Sequence, residues 1–394
     1  MTIYDFDSLV ERHGTDCLKF DCAESRHRSP ELLSLWVADM DFRTAPEILE
    51  AMARRVEHGI FGYTEPQEPY FNAVTRWHAE RYGWEPQREW TVVTPGVVFA
   101  LAMVVKAFSQ PGDCVLIQQP VYYPFKEVVE DNGRTVLNVP LVLAQDSGSY
   151  SIDFEAFEAA VEQHKPALFL LCNPHNPGGR VWTRAELQQL ADICLRYGVV
   201  IVSDEIHQDF ARPGFEHCSL AALGPQVLEG SVICTSPSKT FNLAGTQVSN
   251  IFIANPQLRA AFKQQVAAAG YSQGNTLGLV ACQAAYEHGG PWLTELKEYL
   301  EGNWQLLGEH LAEHAPQLRL MESQSTYLAW IDCRALGLYG RELRHLVEDE
   351  ARLWLDLGSM FGKDGDGFIR INIATQRSYL KQTLTQLTDA IARL

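Results

Sequence analysis

A lysine, an aspartate and a pair of serines are placed along this chain where each could act on one bound group. Lys239 lies in Ser236-Pro237-Ser238-Lys239, directly after an apolar run. A lysine that is partly desolvated keeps a neutral amine, the form that attacks a carbonyl carbon and makes a Schiff base. Asp204 ends Val202-Ser203-Asp204. A carboxylate there can hold a ring nitrogen protonated, which turns a heteroaromatic ring into an electron sink. Ser236 and Ser238 would donate hydrogen bonds to a phosphate. The amides of Gly96, Val97 and Val98, where a strand gives way to a helix, would meet the same anion, since free N–H groups and the helix dipole favour negative charge. An imine-forming lysine, an acid for a ring nitrogen and a phosphate cradle together call for pyridoxal 5'-phosphate (PLP).

Three more residues fit such a site, and each has a plainer reading. Asn173 could bond the phenolic oxygen of the ring, although Asn before Pro is also a common turn residue. Tyr122, in Pro120-Val121-Tyr122-Tyr123, could stack on the ring or sit in the core. Arg370 interrupts the alternating run Phe368-Ile369-Arg370-Ile371-Asn372-Ile373. An inward arginine on a strand needs an anion, and either a substrate α-carboxylate or a structural carboxylate would supply it. Lys239 alone also suits a solvated surface, and Asp204 alone suits a helix N-cap.

These residues need a frame, and the pattern between residues 89 and 255 supplies one. Strands are expected at Thr91–Thr94, Cys114–Gln118, Ala167–Cys172, Val199–Ser203 and Ser231–Thr235, with a helix from Val97 to Ser109. Thr183-Arg184-Ala185-Glu186 reads as a capping box, and Gly198 as the stop of the helix it opens. Alternating strands and helices imply an α/β fold with a mostly parallel sheet covered by helices. In such sheets ligands bind at the carboxyl ends of the strands, where Asn173, Asp204 and the Lys239 turn fall. The expected division is a large domain over residues 49–291 and a smaller α+β domain from both chain ends, 1–48 and 292–394.

Composition narrows the function from another side. The 394 residues are 46% hydrophobic and 21% charged, with a net charge of −17, so a surface made for phosphate backbones is excluded. Nine cysteines, none in a C-x-x-C pair, suggest neither a disulfide scaffold nor a zinc site. The stretch from Met1 to Phe20 is acidic and lacks the apolar core of a signal peptide. The apolar run Val97 to Phe108 contains Lys106 and is too short for a bilayer. A cytoplasmic protein without nucleic-acid or membrane partners is expected.

The order of these motifs resembles the fold-type I PLP enzymes of the class I/II aminotransferase superfamily, and within it the cystathionine β-lyase (C–S lyase) branch of the MalY/PatB type. The likeness runs from Leu35-Trp36-Val37-Ala38-Asp39-Met40-Asp41-Phe42 through Ser236-Pro237-Ser238-Lys239-Thr240-Phe241-Asn242-Leu243-Ala244-Gly245 to Gly367-Phe368-Ile369-Arg370. It implies PLP on Lys239, ring contacts from Asp204, Asn173, Tyr122 and His207, and a substrate carboxylate on Arg370 and Asn173. Tyr63, in Phe61-Gly62-Tyr63-Thr64, resembles the tyrosine that reaches the phosphate of a neighbouring subunit, which implies a homodimer. His207 stands where aminotransferases of this fold carry tyrosine, Gln247 where they carry a phosphate-binding arginine, and Gly178 where they carry Thr or Ser. All three departures resemble the lyase branch. The implied reaction is β-elimination of an amino-acid thioether such as L-cystathionine, with Lys239 and Tyr122 moving protons. An aminotransferase, or a PLP-fold protein that binds a transcription factor, are the rival readings.

Overall fold

A computed structural model describes residues 4–144, 146 and 148–394, so the first three positions of the Met1–Phe20 stretch lie outside it. Seven strands form the main sheet: β1 (Thr91–Thr94), β2 (Cys114–Ile117), β3 (Thr135–Asn138), β4 (Leu168–Cys172), β5 (Val200–Asp204), β6 (Ser231–Thr235) and β7 (Ser249–Phe252). Their spatial order is β1-β7-β6-β5-β4-β2-β3. All neighbouring pairs are parallel except those made by β7, which runs against both β1 and β6. The mostly parallel α/β sheet expected from the pattern is therefore present.

The central strands are buried on both faces, which is why they read as unbroken apolar runs. Along β4, Leu168, Leu170 and Cys172 join one core while Phe169 and Leu171 join another, as the two-residue period of a strand requires. The first core is closed by α1 (Val97–Phe108), whose Val97, Ala100, Leu101 and Val104 face the sheet. The second is closed by α2 (Arg184–Tyr197) through Leu187, Leu190, Ala191 and Cys194. Each of these Val and Leu side chains contributes about 1.5–3 kcal/mol by leaving water, and the alanines less. The Thr183–Glu186 capping box is formed in both directions, and Gly198 ends α2 at φ 72°, a left-handed conformation that suits glycine.

A second sheet is antiparallel: β8 (Arg319–Leu320), β9 (Leu328–Asp332), β10 (Asp356–Leu357) and β11 (Phe368–Asn372), in the order β8-β9-β11-β10. On β11, Ile369 and Ile371 enter the core, and Arg370 and Asn372 point the other way. Those two side chains seize a strap of chain. Arg370 Nη2 donates to Trp36 O at 3.0 Å, and Asn372 Nδ2 donates to the carbonyls of Val37 and Asp39. From the turn between β6 and β7, Asn242 accepts from Met40 N and donates to the carbonyls of Met40 and Phe42. The strap 36–42 is thus laced to the second sheet and to the turn that follows Lys239. No helix among the described residues is long and apolar enough to cross a membrane.

Candidate active site

The carboxyl ends of β1, β4, β5 and β6 open on one cavity of about 380 Å³. Its wall includes Gly96, Val97, Val98, Tyr122, Asn176, Asp204, His207, Ser238 and Lys239, together with Ala38 of the strap. Gly96 and Lys239, 143 positions apart in the chain, meet here because parallel strands end at one edge.

Lys239 sits on the four-residue helix Pro237–Thr240 and does not reach for bulk water. Its Nζ donates to Ala38 O at 2.7 Å, and that same carbonyl accepts the hydroxyl of buried Tyr327 at 3.1 Å. Burial pushes the amine down to about 8, against the pull of Asp39 and Asp204, so a neutral nucleophile is accessible near neutral pH. Asp204 is the complement. Burial pushes its carboxyl up to about 7, while the Ile206 amide at 3.1 Å and Lys239 pull it down. Such a group is stable as an anion only beside a cation. His207 is held neutral, pushed down to about 3 by burial and then by the positive charges of Lys239 and Arg370, and its Nδ1 has no partner among the described residues. Tyr122 lines the same wall, and burial raises its phenol.

The α1 N-terminus brings Gly96, Val97 and Val98 to the cavity, where first-turn amides have no acceptor within the helix. Ser238 lies at the same wall. Ser236 does not: its hydroxyl caps the short helix by accepting Ser238 N at 3.1 Å and is directed to Val248 O at 2.7 Å. The direct phosphate contact expected of Ser236 is therefore corrected to a cap that shapes the turn. Asn173 needs a second correction. Its Nδ2 donates to Cys218 O at 3.0 Å behind the wall, and Asn176, three residues on, takes the place in the cavity. Two Asn-Pro steps sit in one loop, and nothing in their chemistry tells them apart before the chain is folded. Asn176 Oδ1 accepts from Arg370 Nη1 at 2.8 Å.

Arg370 is buried one layer from the cavity. It forms an ion pair with Asp356 of β10, directly across the ladder, and lies over the Phe361 ring at 4.8 Å. The structural partner left open by the sequence is thus present, and Asp356 was not anticipated. Tyr63 is 95% exposed and faces the loop 270–276, not the cavity of its own chain. Gly178 is explained by packing: a Cβ there would sit 2.7 Å from Tyr150 Cδ2 and 3.0 Å from His175 Nδ1.

The donor set fits PLP. A buried carboxylate forms no ion pair among the described residues, a neutral imidazole has an orphaned nitrogen, a helix start offers open amides, and an amine of lowered basicity lines the same cavity.

Comparison with known proteins agrees with this arrangement. The family model for aminotransferases of class I and II matches residues 30–387. Cystathionine beta-lyase PatB of Bacillus subtilis (strain 168) is 41% identical over 388 residues, covering 98% of this chain and all of its own. Protein MalY of Escherichia coli (strain K12) is 33% identical over 392 residues, covering 99% of each chain. Among solved structures, cystalysin from Treponema denticola, which contains a PLP cofactor, superposes with a TM-score of 0.96 at 35% identity and covers 99% of each chain.

Proposed function

Because the chain belongs to the class I and II aminotransferase family, with the fold-type I architecture of its PLP-containing relatives, we propose that it is a PLP-dependent C–S β-lyase. It cleaves L-cystathionine or a related cysteine S-conjugate by β-elimination to a thiol, pyruvate and ammonia; cystathionine gives homocysteine. The observation that carries this reading is the pairing of Lys239 and Asp204 on one buried cavity, the amine pushed down to about 8 and the carboxyl up to about 7.

When bound, PLP supplies an aldehyde for the lysine and a pyridine ring that receives the electron pair released at Cα. Lys239 would hold it, Asp204 would keep its ring nitrogen protonated, and Tyr122, His207 and Asn176 would contact the ring. Ser238 and the amides of Gly96, Val97 and Val98 would take the phosphate. Arg370 would anchor the substrate carboxylate. Freed Lys239 accepts the Cα proton as general base. The C–S bond then breaks with its electron pair on sulfur, and Tyr122 or Lys239 protonates the departing thiolate. Neutral His207 leaves the local charge on the lysine and the aspartate.

The reading includes a homodimer in which Tyr63 reaches the phosphate of the adjacent chain. Its 95% exposure supports this, as do exposed Ile60 and Phe61 beside it. It also includes the division into residues 49–291 and 1–48 with 292–394, supported by the separation of the seven-stranded and four-stranded sheets. A reducing cytoplasm suits nine cysteines that form no disulfide.

The test is direct. The purified holoenzyme is incubated with L-cystathionine, and thiol and pyruvate are measured together. Equal release of both is expected, with the cofactor fixed to the Lys239 peptide after borohydride reduction. Amino transfer to a keto acid without thiol release overturns the lyase assignment.

A further inference from the structure

Arg370 has its best donors already committed. Nη2 donates to the Asp356 carboxylate and to Trp36 O at 3.0 Å, and Nη1 donates to Asn176 Oδ1 at 2.8 Å. A guanidinium grips a carboxylate with two parallel N–H bonds, along its Nη1–Nη2 edge or its Nε–Nη2 edge. Both edges use Nη2, and both Nη2 hydrogens are taken. What remains is Nε–H, buried with no partner among the described residues, and one hydrogen on Nη1, which lie on different edges. No two-pronged grip is open while Asp356 holds its place.

We infer that Asp356 competes with the substrate's α-carboxylate for Arg370, and that binding displaces it from Nη2 with uptake of one proton from solvent. This rests on the proposed role of Arg370 as the carboxylate anchor. Asp356 and Arg370 are in register on β10 and β11 and are both buried. Parted from its cation, Asp356 would be a carboxylate in an apolar site, which neutralises rather than stays charged. Burial already raises its carboxyl against the pull of Arg370.

Among the described residues Asp356 has no ion pair other than that with Arg370. Tyr122 and Tyr123 face the pair from the loop before the helix Pro124–Glu130, and both phenols are raised by burial. From the strap side Arg26 lies over the Trp36 ring, 5.3 Å from its centroid. Lys239, His207 and Tyr327 also feel the charge of Arg370. The pair therefore keeps the anchor neutral in the empty site. It holds the carboxylate end of the substrate loosely and lets a carboxylate product leave as Asp356 returns. Affinity for the carboxylate should fall as pH rises, because the displaced acid must be protonated.

The probe is 3-(methylthio)propionate, which carries the carboxylate and thioether of the proposed substrates but no amine to bond the cofactor. Its binding to the holoenzyme is measured by calorimetry in two buffers of different ionisation enthalpy, which counts protons. Wild type is expected to take up a proton on binding. Asp356→Asn, which keeps size and removes charge, is expected to take up none and to bind on the order of ten- to a hundredfold more tightly. Absence of proton uptake by wild type overturns the inference, and so does Asp356→Asn binding equally or less tightly. Should that variant fail to fold, the wild-type proton count decides alone. A preparation that releases thiol from cystathionine yet takes up no proton sinks the competition only. One that releases no thiol sinks the lyase reading itself.

Discussion

Asn176 Oδ1 accepts a hydrogen bond of 2.8 Å from Arg370 Nη1 across 194 residues of sequence, joining the loop after β4 to the second sheet. Asn173 has no such link and is tied to Cys218 O. Asn176→Ala should therefore lower kcat/KM by on the order of 10²-fold, since it frees the anchor and opens the cavity wall. Asn173→Ala should leave kcat/KM within about threefold and cost roughly 1–3 kcal/mol of stability, the expense of a lost buried amide contact. Steady-state kinetics and thermal melts on the pair distinguish the two roles, and equal kinetic losses would contradict the placement.

Asp204 links pH to stability with an unusual sign. Its carboxyl is raised from 3.8 to about 7 by burial. Between those values the folded protein keeps a proton that the unfolded chain has released, so its contribution to stability falls as pH rises from about 4 to about 7. Cofactor-free Asp204→Asn lacks that dependence. It should match wild type at pH 4 and exceed it by on the order of 2–4 kcal/mol at pH 8. The same variant loaded with cofactor should lose on the order of 10²–10³-fold in kcat, because a neutral amide cannot keep the ring nitrogen protonated. Melting curves across pH, with activity on the same preparations, check both halves.

How much of this could be read from the chain depended on how local the cause was. The β4, β5 and β6 strands announce themselves because both faces are buried, and their ends moved by no more than a residue on folding. The Thr183 box and Gly198 stop are complete within one helix and were legible for the same reason. Ser236 and Ser238 present equal hydroxyls two residues apart, and only the turn decides that one caps and the other faces the cavity. Asp356 stays hidden because β10 has two residues and its meaning lies in an arginine on another strand. Ala38 acts through a carbonyl, which no side-chain motif records, although the strap that carries it lies within the stretch matched by the family model.

Gly178 tests whether packing explains a departure from the aminotransferase pattern. A Cβ at 178 would meet the Tyr150 ring at 2.7 Å, and the Tyr150 hydroxyl accepts Trp330 Nε1 at 3.1 Å. Gly178→Thr should therefore destabilise the fold by about 1–3 kcal/mol, the usual expense of overpacking. Gly178→Thr combined with Tyr150→Leu should recover part of that loss in a melt. A single variant as stable as wild type would show that the ring has somewhere else to go.

The shared site can be tested by mixing two dead chains. Tyr63→Ala removes the group offered to the neighbouring site, and Lys239→Ala removes the nucleophile of a chain's own site. Each homodimer should be nearly inactive, Lys239→Ala entirely so. Unfolded together in equal amounts and refolded, half the dimers would carry one chain of each kind. In those, the site with an intact Lys239 faces an intact Tyr63 from its neighbour, and the other site lacks both. Half the dimers with one working site of two gives about one quarter of wild-type activity. That recovery requires Tyr63 to act across the interface. Activity that stays at the average of the two separate variants would place Tyr63 in its own chain's function, or outside the site altogether.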